Sequence, residues 1–190
     1  MFIDVEASSL GFDSFPTEIA WVGESGAAES YLIRPEPGWD DWSSLSEAVT
    51  GISREMLARD GLPARFVATR AAAALLSPGV VCVSDAPGYD LRWVNRLLAA
   101  GGISRDVDVG YVTEAYVEAC RPIQRRLNPS QGEWAATVRR IVGAAKDAEA
   151  QPRHVQHRAL ADARALWRIW RRVVDLMAEE HAGRSPLSTQ

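Results

Sequence analysis

The chain opens on Phe2-Ile3-Asp4-Val5-Glu6, a run that alternates in the way of a short strand. Side chains of a strand point to opposite faces in turn, so Ile3 and Val5 share one face while Phe2, Asp4 and Glu6 share the other. Two carboxylates thus project side by side from an apolar scaffold. Like charges this close repel, and burying them is costly without a partner. Oxygen donors of this kind suit Mg²⁺, Mn²⁺ or Ca²⁺. A D-x-E triplet arises by chance about once in a chain of this size. Alone it reads as a polar strand edge, and it becomes a metal site only if further carboxylates stand in matching settings.

The 190 residues make one domain with a proper core, expected over 1–180, followed by a disordered polar tail over 181–190. No apolar run is long enough for a membrane span, and no signal segment precedes the first strand. Cys82 and Cys120 lie in apolar segments without ligand spacing, as buried free thiols of a reducing cytoplasm do. The net charge of −4 does not advertise nucleic-acid binding, but its distribution is uneven. Residues 1–60 hold 12 acids and 3 bases, and residues 61–190 hold 13 acids and 18 bases. All the bases but Lys146 are Arg, which suits bidentate phosphate contacts and equally reflects an Arg- and Ala-rich composition.

Pattern and turn residues predict an antiparallel meander: Phe2–Glu6, Thr17–Val22 and Ser30–Ile33. Helix follows over 44–60, interrupted at Gly51-Ile52-Ser53, with Ser53 as a cap. Pro63 opens a helix to about Leu76. Val80–Val83 reads as a strand buried on both faces, Leu91–Ala100 as a helix and Asp106–Tyr111 as a strand. Thr113–Ala119 and 133–149 read as helices, with a loop over Arg121–Gly132. A final amphipathic helix runs from about Arg158 to Glu180, with Leu166, Ile169, Trp170, Val173, Val174 and Met177 on one stripe. Three strands followed by alternating helices and strands predict an α/β domain with a mixed sheet.

Two later segments carry further carboxylates. Ser84-Asp85-Ala86-Pro87-Gly88-Tyr89-Asp90 follows the buried strand, at the end of the sheet where α/β active sites form. Asp85 and Asp90 are both candidates there, and either also serves as a cap or turn residue. In His157-Arg158-Ala159-Leu160-Ala161-Asp162, Asp162 shares the apolar stripe with Leu166, so it needs a partner. His157 stands at the helix start. His154 competes with it, and His181 belongs to the tail.

Together these motifs resemble the DEDD superfamily of 3′–5′ exonucleases: D-x-E on the first strand, an aromatic-Asp pair at Tyr89-Asp90, and H-x-A-x-x-D on a late helix. The histidine spacing is similar to that of the DEDDh branch. The resemblance spans residues 1 to about 178. It implies a ribonuclease H-like fold with a five-stranded mixed sheet flanked by helices, and two divalent cations, Mg²⁺ or Mn²⁺. By motif, Asp4, Glu6, Asp90 and Asp162 are the implied metal carboxylates, Asp90 being preferred to Asp85, and His157 is the implied general base. The implied activity is hydrolysis of single-stranded RNA or DNA from the 3′ end to nucleoside 5′-monophosphates.

The chain departs from the family at Ala7-Ser8-Ser9, where members often carry Thr-Gly-type residues. Leu10, Phe12 and Trp93 are candidate base-stacking neighbours, and Arg121, Arg125, Arg126, Arg139 and Arg140 candidate phosphate contacts. Two rival functions stand beside this one. One is a binding module of the same fold that holds nucleic acid or a polymerase-like partner without cutting, and the other is a nuclease of short oligonucleotides or free nucleotides.

Overall fold

The computed structural model of the chain describes residues 1–150 and 157–183, without the side chains of 127 and 181–183. The expected meander forms. Strands β1 (Phe2–Ala7), β2 (Pro16–Val22) and β3 (Ala28–Arg34) pair antiparallel in sequence order. Helices α1 (Ser44–Thr50) and α2 (Arg54–Asp60) follow, each with a serine cap: Ser43 accepts from the Ser46 N–H and Ser53 from the Met56 N–H. Gly51 separates them at φ 69°, a left-handed turn that closes α1 and that glycine adopts without strain.

The rest alternates: β4 (Leu62–Pro63), α3 (Ala64–Leu75), β5 (Cys82–Ser84), α4 (Pro87–Ala100), β6 (Val109–Tyr111), α5 (Val112–Leu127), α6 (Gln131–Ala148) and α7 (Ala159–Gly183). The sheet has six strands in the order β4-β3-β2-β1-β5-β6, with β1 central and parallel to β5. The sixth strand is β4, a two-residue pairing of Leu62 and Pro63 with Ile33 and Arg34 that is too short to leave a periodic signal.

The two faces of β1 carry two cores. Ile3, Val5 and Ala7 join Ile19 and Trp21 against α3 and α4, through Val67, Ala71, Val94 and Leu97. Phe2 joins Ala20 and Val22 on the other face, beneath Tyr116 of α5 and Ala163 and Leu166 of α7. Each large aliphatic side chain fully buried here contributes about 1.5–3 kcal/mol. Helix α6 packs outside α5 and α7 through Ile141 and Ala145, which meet Cys120, Ile123, Val173 and Met177. Both cysteines are free and buried, as expected. No helix among the described residues is long and apolar enough to cross a membrane.

Three expectations are corrected. The stretch after Arg121 is helical: α5 runs through Pro122 to Leu127. Burial of Cys120 and Ile123 against α6 and α7 outweighs the cost of an internal proline. Strand β5 starts at Cys82, and Val81 before it is 71% exposed, its carbonyl accepting from the Met1 ammonium at 2.7 Å. Helix α7 continues to Gly183, so the first three residues of the expected tail are helical, while 184–190 and His154 lie outside the described residues.

Candidate metal and nucleic-acid site

The site lies past the end of β5, where β1 runs on beyond its parallel neighbour. Of the residues of β1, Phe2 is the one paired with β5, opposite Val83. Asp4 and Glu6 stand beyond that pairing, on the α7 face, with Ala20 and Glu18 of β2 opposite them. The register shifts between Glu6 and Ala7, a bulge that ends the regular ladder at the site.

Asp90 reaches the same place from the other face. Pro87 starts α4, so Asp90 falls in its first turn, where the helix dipole favours an anion. The side chain is 2% exposed. Its Oδ1 accepts the Val5 N–H at 3.1 Å, which ties α4 to β1 between the two carboxylates of the first strand. Its Oδ2 is buried, with the Ser84 hydroxyl beside it but outside regular hydrogen-bond geometry. Asp85 is exposed and lines the rim together with Asp4, Glu6, His157 and Asp162.

Helix α7 supplies the remaining groups. Asp162 sits in its first turn, with Oδ2 3.4 Å from His157 Nδ1. Ligand atoms of Glu6, His157 and Asp162 all lie within 4.8 Å of one another. The His157 backbone N–H donates to the Val49 carbonyl of α1 at 3.2 Å, so the residue is held from the far side of the cleft.

The electrostatics follow from this crowding. Burial, then the charges of Asp90, Glu6, Asp162 and Asp85, push the Asp4 carboxyl well above the usual range. Burial pushes Glu6 up to about 7, helped by Asp162, Glu18 and Asp90 and opposed by Arg158. Burial likewise raises Asp90 to about 7, opposed by the Ser84 hydroxyl and the Val5 N–H, with Asp85 adding to it. Asp162 is raised by burial, against the pull of His157.

Two cavities meet at this cluster. The larger, about 500 Å³, is lined by Asp4, Glu6 and Asp90 and by Leu10, Leu45, Val49, Tyr89 and Trp93. The smaller, about 270 Å³, is lined by Asp4, Glu6, Asp85, His157, Asp162 and Leu166. Asp4, Glu6 and His157 border both, and no lysine or arginine lines either among the described residues. Among the described residues a phosphate finds no lysine or arginine there, whereas carboxylate oxygens converge from both faces of the sheet. That arrangement can hold a hard cation and, through it, an anion.

Of the three candidate stacking residues Leu10, Phe12 and Trp93, the first and last line the larger cavity. Trp93 is largely committed to the fold, donating its indole N–H to Ser14 Oγ at 2.8 Å. Phe12 is 87% exposed and lines neither cavity. Leu45 and Val49 went unnoticed, because only the tertiary fold brings α1 over the carboxylates. None of Arg121, Arg125, Arg126, Arg139 and Arg140 lines either cavity, and Arg121 and Arg140 pair with Glu118 and Glu180. The Ser8 and Ser9 hydroxyls both donate to Asp41 Oδ2, at 2.9 and 2.6 Å, which fastens the loop after β1 to the one before α1.

The sequence matches no protein-family model and no curated protein. The fold does match solved structures. Escherichia coli exonuclease I in complex with a dA16 oligonucleotide superposes with a TM-score of 0.61 at 16% identity, covering 94% of this chain and 41% of that one. A zinc-bound form of the E. coli exonuclease I–ssDNA complex gives 0.59 at 17%, covering 94% and 42%. Exonuclease I from Methylocaldum szegediense, described as moderately thermophilic, gives 0.57 at 19%, covering 96% and 42%. The chain spans between 30% and 44% of the length of the exonuclease I chains it resembles. The architecture is the ribonuclease H-like one, with a mixed six-stranded sheet between helices.

Proposed function

We propose that the chain is a metal-dependent 3′–5′ exonuclease that hydrolyses single-stranded nucleic-acid ends to nucleoside 5′-monophosphates. The observation that carries this reading is the convergence of Asp4, Glu6, Asp90 and Asp162, with His157, on the rim of an apolar cavity. The fold shared with exonuclease I, solved with single-stranded DNA, supports it.

The donor set fits divalent cations. Asp90 Oδ2 is a buried acceptor without a regular hydrogen bond, and carboxyls raised toward neutrality are anions short of countercharge. Asp4, Glu6, Asp90 and Asp162 would hold two such ions, Mg²⁺ or Mn²⁺. Bound there, they supply Lewis-acid activation of water and neutralise charge on the scissile phosphate.

The chain's own groups do the rest. With Nδ1 toward Asp162, the His157 ring keeps its proton on that nitrogen and leaves Nε2 free to accept one from water. Its 65% exposure lets it reach the substrate face of the cluster. Leu10, Leu45, Val49 and Tyr89 receive the terminal nucleoside, since apolar and aromatic side chains hold an unpaired base without reading its identity. His157 borders this apolar wall as well as the carboxylates, so a terminal nucleoside on the wall brings its phosphate to the cluster beside the imidazole.

The test is degradation of 5′-labelled single-stranded RNA and DNA oligonucleotides with Mn²⁺, Mg²⁺ or EDTA. The expected result is a metal-dependent ladder shortening from the 3′ end, absent in Asp4→Ala and at least about 10²-fold slower in His157→Ala. Oligonucleotides that are bound but never shortened, under every metal, would overturn the reading and leave a binding module of the same fold.

A further inference from the structure

We infer that Glu18 and Arg158 form a positioning pair that sets the start of α7, and with it His157 and Asp162, against Glu6. The purpose assigned to that positioning rests on the exonuclease reading.

Glu18 is 3% exposed, and unlike its cross-strand neighbour Glu6 it is fully partnered. Its Oε2 accepts from Arg158 Nε at 2.9 Å and from the Ala159 N–H at 3.0 Å. Its Oε1 accepts from Arg158 Nη2 at 2.8 Å and from Ser30 Oγ at 3.3 Å. The guanidinium fork and the carboxylate are thus matched two to two, a geometry that fixes orientation as well as distance. The first amides of a helix have no partner within it. Helices α1, α2 and α6 are capped by the serine just before them, whereas a strand residue 141 positions earlier caps Ala159 of α7.

Local helix energetics do not explain Arg158, because a cation at the N-terminal end opposes the helix dipole. Its place is explained by Glu18. The residue before it is His157, whose own N–H is tied to Val49 of α1. One turn later comes Asp162, which faces His157. The clamp therefore sits between the two groups that α7 brings to the cluster, and a pivot of the helix start would move both away from Glu6.

The test compares wild type with Glu18→Gln and Arg158→Lys, the first neutralising the carboxylate and the second keeping the charge without the fork. For Glu18→Gln the expected outcome is a kcat lower by about 10-fold or more with KM within about 2-fold. Arg158→Lys loses less. In a His157→Ala background Glu18→Gln costs less than in wild type, because the part of its effect that runs through His157 is already lost and what remains runs through Asp162. Independently of activity, amide hydrogen exchange in metal-free protein is accelerated more across 157–165 than in β1 and β2 in Glu18→Gln. Equal kcat, an equal loss in both backgrounds, or unchanged exchange would overturn the inference. A wild type without metal-dependent activity but with faster exchange in Glu18→Gln sinks the exonuclease reading and keeps the clamp. An active wild type with an unaffected Glu18→Gln does the reverse.

Discussion

Glu6 and Glu18 face each other across β1 and β2, on the same side of the sheet, yet their surroundings are opposite. Glu18 receives four hydrogen bonds from Arg158, Ala159 and Ser30. Burial, helped by the charges of Asp162, Glu18 and Asp90, pushes Glu6 up to about 7. Asp90, joined to β1 through the Val5 N–H, has an Oδ2 that makes no regular hydrogen bond among the described residues, with the Ser84 hydroxyl beside it. One buried carboxylate is thus spent on the fold, while its neighbours are withheld from it. Folding alone would have removed or paired the second group, since an unpaired buried charge costs several kcal/mol. The difference separates acids that hold the chain together from acids kept for something the chain does not itself contain.

Substitution should therefore act in opposite directions at the two places, and this is the largest effect to look for. Asp90→Asn keeps the acceptor for the Val5 N–H and removes the charge. Activity with Mn²⁺ should fall by at least about 10²–10³-fold, the scale of losing a group that supports transition-state charge. The melting temperature in EDTA at pH 8 should hold or rise. Glu18→Gln, by contrast, should lower stability in EDTA by about 1–3 kcal/mol, because a neutral amide at this buried position can no longer accept all four hydrogen bonds the carboxylate receives. A matching fall in stability for both variants would erase the distinction.

Acidity sharpens the same contrast. Glu6 and Asp90 titrate at about 7 in the fold, against ordinary values of 4.5 and 3.8. Between roughly pH 4 and 7 the folded chain binds more protons than the unfolded one, so these groups make stability fall as pH rises through that window. Mn²⁺ needs them deprotonated, so its affinity should climb over the same range. At about 100 times its Kd, a ligand adds roughly 2.7 kcal/mol, or about 5–10 °C for a domain of this size. The gap in melting temperature between Mn²⁺ and EDTA should thus be small at pH 5.5 and widest near pH 8. A gap that narrows toward pH 8 would mean that the metal does not sit on these carboxylates.

Much of this was legible before any coordinates. The period-two alternation of Phe2–Glu6 sorts that strand onto two faces, and the cores beneath it divide in the same way. Gly51 and Ser53 mark a helix break because they are local chemistry, a left-handed turn and a cap. Local rules failed where packing decided. Arg121–Gly132 reads as a loop, yet α5 continues through Pro122 because Cys120 and Ile123 are buried on either side of it. The site shows the same division. Its acids lie in recognisable spacings along the chain. Glu18, Leu45 and Val49 matter through what faces them, and strand register or the placement of α1 is not written in their own neighbourhoods.

The smallest effect tests the apolar wall. Leu10 and Phe12 lie two residues apart in one loop, and by exposure Phe12 at 87% is the more obvious stacking surface than Leu10 at 67%. Only Leu10 lines the cavity beside Asp4, Glu6 and Asp90. If the terminal nucleoside rests there, proximity to the carboxylates decides and ring size does not. Leu10→Ser should then raise KM for a single-stranded oligonucleotide by about 3–10-fold, within the range of a lost base contact. Phe12→Ser should leave KM within about 2-fold, and kcat should hold in both, since neither side chain touches the reacting phosphate. The opposite ranking would place the strand's path over the outer loop, and the cavity would lose its claim to the terminal base.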